Sequence, residues 1–205
     1  MTAHQAAASA RGEIWRLLSE LMSYPTPGLI EKWESGRLDR QLDGWVKVLP
    51  YDFKAPVFLD DHQVNRGSLL QSEFLRVFEL PVDGKAPCPL YGGVLVGNRQ
   101  RVMEELLRLY RHFGLSTQGS EMSDLPDSFC TVMEFLYFLT SHEGQASEGD
   151  VESVRRAQRD VLEKHLGPWV VALESRMEER SPPAFYKRVV ELLNHFLRAE
   201  AASLS

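Results

Sequence analysis

The stretch FCTVMEFLYFL, residues 129–139, constrains this chain more than any other. It is apolar on nearly every side of a helix, and such a segment belongs at the centre of a globule with other elements covering it. Pro126-Asp127-Ser128 stands immediately before it. The oxygens of Asp127 and Ser128 are therefore candidate caps for free N–H groups at the positive end of the helix. Glu134 interrupts the run, and a carboxylate there requires a partner or a proton if it is buried.

The rest of the chain supplies covering helices and almost no strand signal. Ile14, Leu17, Leu18, Leu21 and Met22 recur at helical spacing and stop at Tyr24-Pro25-Thr26-Pro27-Gly28. Two shorter helical patterns follow around Trp33 and Trp45, with a break at Ser35-Gly36. SLLQSEFLRVFEL, from Ser68, puts Leu70, Phe74, Val77 and Phe78 on one face and predicts a helix ending near Glu79. Residues 80–97 are rich in Pro and Gly and are expected to lack regular structure, and loops of that length usually carry function. Asn98 opens a helix through Met103, Leu106, Leu107, Tyr110 and Phe113, closed by Gly114. A charged helix is expected from about Val151 to Leu166, broken by Gly167-Pro168. Two more follow, at 169–180 and through Phe185, Val189, Leu192, Leu193, Phe196 and Leu197. No fixed-period repeat appears, so the fold class is all-α, a single irregular helical domain over residues 1–205. Residues 1–9 are expected to be disordered and 144–150 to form a flexible link.

Charge and composition remove several function classes. The formal charge of −6 over 205 residues disfavours nucleic acid and acidic lipid and favours a basic peptide partner. No uncharged apolar run reaches the roughly 18 residues of a membrane span, and MTAHQAAASARGEIWRLL lacks the parts of an export signal, so a cytoplasmic protein is expected. Arg155-Arg156 lies mid-chain in a charged helical pattern, where an export signal cannot operate. Cys88 and Cys130 form no CxxC, and the six histidines have no metal-ligand spacing, so no metal site, cofactor or catalytic set is expected. Gly92-Gly93-Val94-Leu95-Val96-Gly97 matches neither GxxxxGK[ST] nor GxGxxG. Close approach of backbone to a neighbouring helix explains these glycines best, and a small nucleotide-binding hydrolase using the turn is the alternative.

Several separated motifs, taken in order, resemble the TorD/DmsD/NarJ family of maturation chaperones for molybdenum oxidoreductases. They are SEFLRVF (72–78), LYGG with the helix after it, LPDSFCTVMEFLYFL, HLGPW (165–169) and PPAFY (182–186). CPLYGG is most similar to the branch serving type II enzymes of the dimethyl sulfoxide reductase family. The resemblance implies an all-helical cytoplasmic chaperone that binds the apo catalytic subunit of a molybdopterin oxidoreductase, often through its twin-arginine signal peptide. The chaperone, monomeric or a domain-swapped dimer, holds no metal and keeps its client until the cofactor is inserted. Carried over residue by residue, Glu73, Phe74, Val77 and Phe78 match the family's conserved helix, Tyr91, Gly92 and Gly93 its loop, and Asp127 the acid of its Pro-Asp segment. Ser128 stands where the TorD and DmsD branches have histidine, so no imidazole role carries over. On this reading Phe74, Phe78 and Tyr91 supply an apolar groove and Asp127 the charge that receives a guanidinium.

Overall fold

The computed structural model describes residues 2–59, 67–82, 84–115, 124–180 and 182–204. Helix α1 (Ala3–Leu21) opens on a capping box in which Thr2 Oγ1 accepts the Gln5 N–H and the Gln5 side chain accepts the Thr2 N–H. Ala3–Ser9, expected outside ordered structure, thus form the first turns of a helix of 19 residues. The Pro-Thr-Pro stretch does two jobs. It ends α1, and Thr26 Oγ1 then accepts the Leu29 N–H to start α2 (Pro27–Glu34), with Pro27 in the first turn, where no N–H is needed. Gly36, at φ 65°, turns the chain into α3 (Arg37–Val46).

Helix α4 (Gly67–Phe74) runs into a π turn at Leu75–Glu79, closed by the Leu80 N–H on the Leu75 carbonyl. Next come α5 (Gly92–Val96), α6 (Arg99–His112), α7 (Phe129–Glu143) and α8 (Glu148–Val161). A second π turn, Leu162–Leu166, leads into α9 (Gly167–Glu178), and α10 (Ala184–Ser203) closes the fold. Among the described residues, extended pairing is limited to the bridges Val82–Lys85 and Tyr91–Ser128.

Two expectations are corrected. Gly167-Pro168 does not break the chain direction: Leu166 keeps helical dihedrals, and the extra residue of the π turn delivers the chain to Pro168 in helical form. Residues 80–97 are not wholly irregular, because Gly92–Val96 form α5.

Helix α7 is central. α1 lies along it, α8 packs on its other flank, and α10 meets α1 and α9. Phe129, Val132, Met133, Leu136 and Leu139 are buried, and each large apolar side chain taken from water contributes about 1.5–3 kcal/mol. Glu134 is exposed, so its apolar surroundings in sequence impose no burial cost. The buried carboxylate of α7 is Glu143.

Glu143 belongs to a polar knot that no local pattern announced. Arg11, itself buried, donates from Nη1 to Glu143 Oε2 at 2.7 Å, from Nε to Glu200 Oε1 at 2.8 Å and from Nη2 to Gln158 Oε1 at 2.6 Å. Arg155 Nε donates to Glu143 Oε1 at 2.8 Å, and the Trp15 indole and the Tyr51 hydroxyl both donate to Glu200. Burial works against the Glu143 carboxylate, yet the charge of Arg11 and hydrogen bonds from Gln158, Arg155 and Arg11 hold it below the usual range. Burial likewise opposes the Arg11 cation, and its two glutamates reverse that and raise its pKa. The knot joins α1, α7, α8 and α10.

Candidate functional site

The turn that carries Tyr91, Gly92 and Gly93 is held from one side by Asp127. The Asp127 carbonyl accepts the Gly92 N–H at 2.8 Å, and its Oδ2 accepts the Gly93 N–H at 3.3 Å. The next two donors, Val94 and Leu95, turn back to the Tyr91 carbonyl, and Gly97 to that of Gly93. The N–H groups of Gly92, Gly93, Val94, Leu95 and Gly97 are thus engaged within the protein, which disfavours this turn as a phosphate cradle.

The glycines serve close packing. A Cβ on Gly92 would lie 1.9 Å from the indole of Trp169, and one on Gly93 would lie 2.5 Å from the Arg99 Cα. α5 is thereby pressed between α6 and α9. The capping expectation for residues 127–128 is corrected accordingly. Ser128 occupies the N-cap position of α7 but makes no side-chain cap bond, and Asp127 caps α5 instead.

Next to this turn lies an open cleft of about 250 Å³. Its walls come from the end of α1 and the residues after it (Met22, Ser23, Tyr24), the π turn (Phe78, Glu79), and the Tyr91–Ser128 bridge. Phe74 packs on Phe78 with ring centroids 5.0 Å apart, and Tyr24 meets Phe74 edge-on at 5.9 Å. Tyr186 backs them, 5.1 Å from Phe78, with its hydroxyl donating to the Leu70 carbonyl. The extra residue of the π turn sets Val77 and Phe78 at its buried side, and the Val77 carbonyl accepts the Cys88 N–H at 3.1 Å. Three carboxylates stand at the rim: Glu79, Asp124 and Glu134. The Tyr91 hydroxyl donates to Asp124 at 3.2 Å, and burial, then the Asp124 charge, raises its pKa.

Among the residues singled out from sequence, Phe74, Phe78, Tyr91 and Ser128 meet in this cleft. Val77, Gly92, Gly93 and Asp127 are buried behind it and shape it. Glu73 is half-buried beside Tyr186, whose hydroxyl pKa is raised by burial and then by the Glu73 charge. Asp127 has no exposed surface, so it meets no solute directly. The structure adds Tyr24, Glu79 and Asp124 to the cleft, and Glu134 lines it as an exposed acid rather than a buried one. The one sequence signal for Asp124 was its place beside the Leu125-Pro126 turn.

Cys130 also lines the cleft, with its Sγ 3.2 Å from Ser23 Oγ. Burial pushes the thiols of both Cys130 and Cys88 above their ordinary 9.0. Neither is a thiolate near neutral pH, as a nucleophilic cysteine must be. Among the described residues no three His, Cys, Asp or Glu side chains gather into a metal-binding group, and no helix is long and apolar enough to cross a membrane.

The sequence of this chain is similar to known proteins over much of its length. The family described as nitrate reductase delta subunit matches residues 37–175. The perchlorate reductase assembly chaperone protein of Dechloromonas aromatica is 34% identical over 132 residues, 62% of this chain and 57% of the relative. The selenate reductase assembly chaperone protein of Thauera selenatis is 35% identical over 113 residues, 53% of this chain and 58% of the relative. Both matches thus span less than two thirds of the relatives' own length. The dimethyl sulfide dehydrogenase assembly chaperone protein of Rhodovulum sulfidophilum is 27% identical over 215 residues, 98% of this chain and 83% of the relative. With its stretch from α3 into α9 inside the family match, and its glycine turn, Pro-Asp segment and apolar helix in one structural unit, the chain belongs to the nitrate reductase delta subunit family, the group its motifs resemble as TorD, DmsD and NarJ.

Proposed function

We propose that this protein is a cytoplasmic assembly chaperone that binds the apo catalytic subunit of a molybdopterin oxidoreductase and holds it while its cofactor is inserted, without turnover of its own. The observation that carries this reading is the cleft in which Phe74, Phe78 and Tyr91 meet the carboxylates of Glu79, Asp124 and Glu134. An aromatic floor with acids at one rim matches a segment that has basic residues followed by apolar ones, which is the pattern of a twin-arginine signal peptide. The net charge of −6 steers such a segment inward at close range, within the roughly 8 Å screening length of physiological salt. The names of the relatives point the same way, since all three are assembly chaperones of oxidoreductases.

Affinity capture of the full chain from its native host, followed by mass spectrometry, tests the proposal. Recovery of a molybdoenzyme catalytic subunit is the expected result. Capture that returns no such subunit sinks the reading.

A further inference from the structure

The HLGPW segment, residues 165–169, lies behind the cleft and lines none of it. Its first residue, His165, stands in the second π turn, which the Gly167 N–H closes on the Leu162 carbonyl. A Cβ on Gly167 would stand 2.9 Å from that carbonyl oxygen, so only glycine closes the turn without a shift. The His165 ring is buried, 6.0 Å from the Trp169 indole and inclined to it by 63°. Trp169 fills the place of the side chain that Gly92 lacks and packs on Phe129, 5.7 Å away. Contacts therefore run from the π turn through His165 and Trp169 to the turn that carries Tyr91, a wall of the cleft. π turns are rare inside helices and recur at functional sites.

We propose that His165 and Trp169 form a pH-sensitive strut behind the cleft: a proton on His165 draws the π turn toward water, Trp169 follows, and the glycine turn loses the backing that holds Tyr91 in the cleft wall. Its consequence, a weaker hold on the client in acid, rests on the chaperone reading given above. Burial opposes a proton on this imidazole, Glu105 of α6 and Asp160 of α8 favour it, and Lys164 of the same turn opposes it. α10 also packs on this turn, and its Leu197 meets the adjoining Gly167. Among the described residues no side-chain hydrogen bond fixes the ring. An imidazolium left buried without such a bond is costly, so the proton is taken up by opening. Trp169 lies about one helical turn past His165, and a shift of the π turn is carried to its indole. The neutral ring favours the closed arrangement above its ordinary 6.5, and that preference is lost as the pH falls below 6.5 toward the folded value.

Hydrogen exchange of the full chain, read by mass spectrometry over residues 90–97 and over α1, tests the strut without any client. With rates corrected for the intrinsic effect of pH, exchange at 90–97 is expected to rise roughly three- to tenfold between about pH 7.5 and 5.5 while α1 stays protected. His165→Gln should abolish this rise. Glu105→Gln, which removes a carboxylate that favours the proton, should move it to lower pH. A fluorescent synthetic peptide in which two adjacent arginines precede an apolar stretch reads the consequence. Its affinity for the parent should fall roughly threefold or more over the same range, and its affinity for His165→Gln should not. An unchanged rate at 90–97 in the parent, an equal rise in His165→Gln, or an equal rise in α1, which is global loosening, overturns the strut. So does a peptide affinity that falls equally for both proteins. None of these outcomes alters the capture of a catalytic subunit from the host, so failure of the strut and failure of the chaperone reading are told apart.

Discussion

The indole of Trp169 fills the space that Gly92 leaves by having no side chain. A methyl group there would stand 1.9 to 2.3 Å from three of its ring atoms, and Trp169 is itself buried with nowhere to turn. Gly92→Ala is therefore expected to destabilise the protein by about 1–3 kcal/mol, the usual cost of overpacking. Urea unfolding measures it. Adding Trp169→Leu should cost less in the Gly92→Ala background than in the parent, because the smaller side chain removes the clash; strictly additive losses would refute the contact.

Arg11 is the cation of a buried knot, and its loss leaves Glu200 and Glu143 uncompensated. Arg11→Met is expected to cost about 3–5 kcal/mol, as for other buried pairs broken on one side. A change below about 1 kcal/mol in the urea midpoint analysis would contradict the geometry. Adding Glu200→Gln to Arg11→Met should recover part of the loss.

Acid stability should fall in two stages. Burial holds the His165 imidazole below its ordinary 6.5, with Glu105 and Asp160 opposing. The unfolded chain then takes up a proton that the folded chain refuses, so this contribution is complete above about pH 6.5 and is lost as the pH falls toward the folded value. Glu143, held below 4.5, contributes fully above that pH and loses its contribution as the pH drops through its folded value. His165→Gln should flatten the first limb of the urea midpoint between pH 7.5 and 5.5, roughly the range set by an ordinary histidine, and leave the second limb in place.

Glu79 and Glu134 lie at the rim of the cleft and are exposed. Changing both to glutamine should leave thermal stability within about 0.5 kcal/mol, as for most surface substitutions. Binding of the paired-arginine peptide should weaken about two- to tenfold and depend less on salt. Unchanged affinity at low ionic strength would place the peptide elsewhere.

The helices were legible wherever a stripe of apolar residues ran between strong breakers, as from Ile14 to Met22 or along α10. α7 was legible as a helix but not in its orientation. When nearly every position is apolar the sequence does not say which side neighbours will cover, and so Glu134 drew attention while Glu143 was the buried acid. Arg11 was invisible because it sits in an alanine-rich stretch and its partners come from helices far along the chain. The π turns were unreadable for a similar reason, since their extra residue is stabilised by surrounding contacts and has no composition of its own. Phe74, Phe78 and Tyr91 were found through family motifs. Asp124 and Tyr24 come from short connections, whose position depends on the helices around them.

The span between Arg11 and Glu200 has a consequence for how the chain is made. Their hydrogen bonds join residues 189 positions apart. At about 5–20 residues per second of synthesis, the carboxylate that completes the knot emerges roughly 10–40 s after the arginine it binds. Until then α1 and α7 can meet only with an incompletely paired cation between them. The last helix thus supplies the final partner of the knot, and a chain that stops short of α10 leaves Arg11 with Glu143 and Gln158 alone.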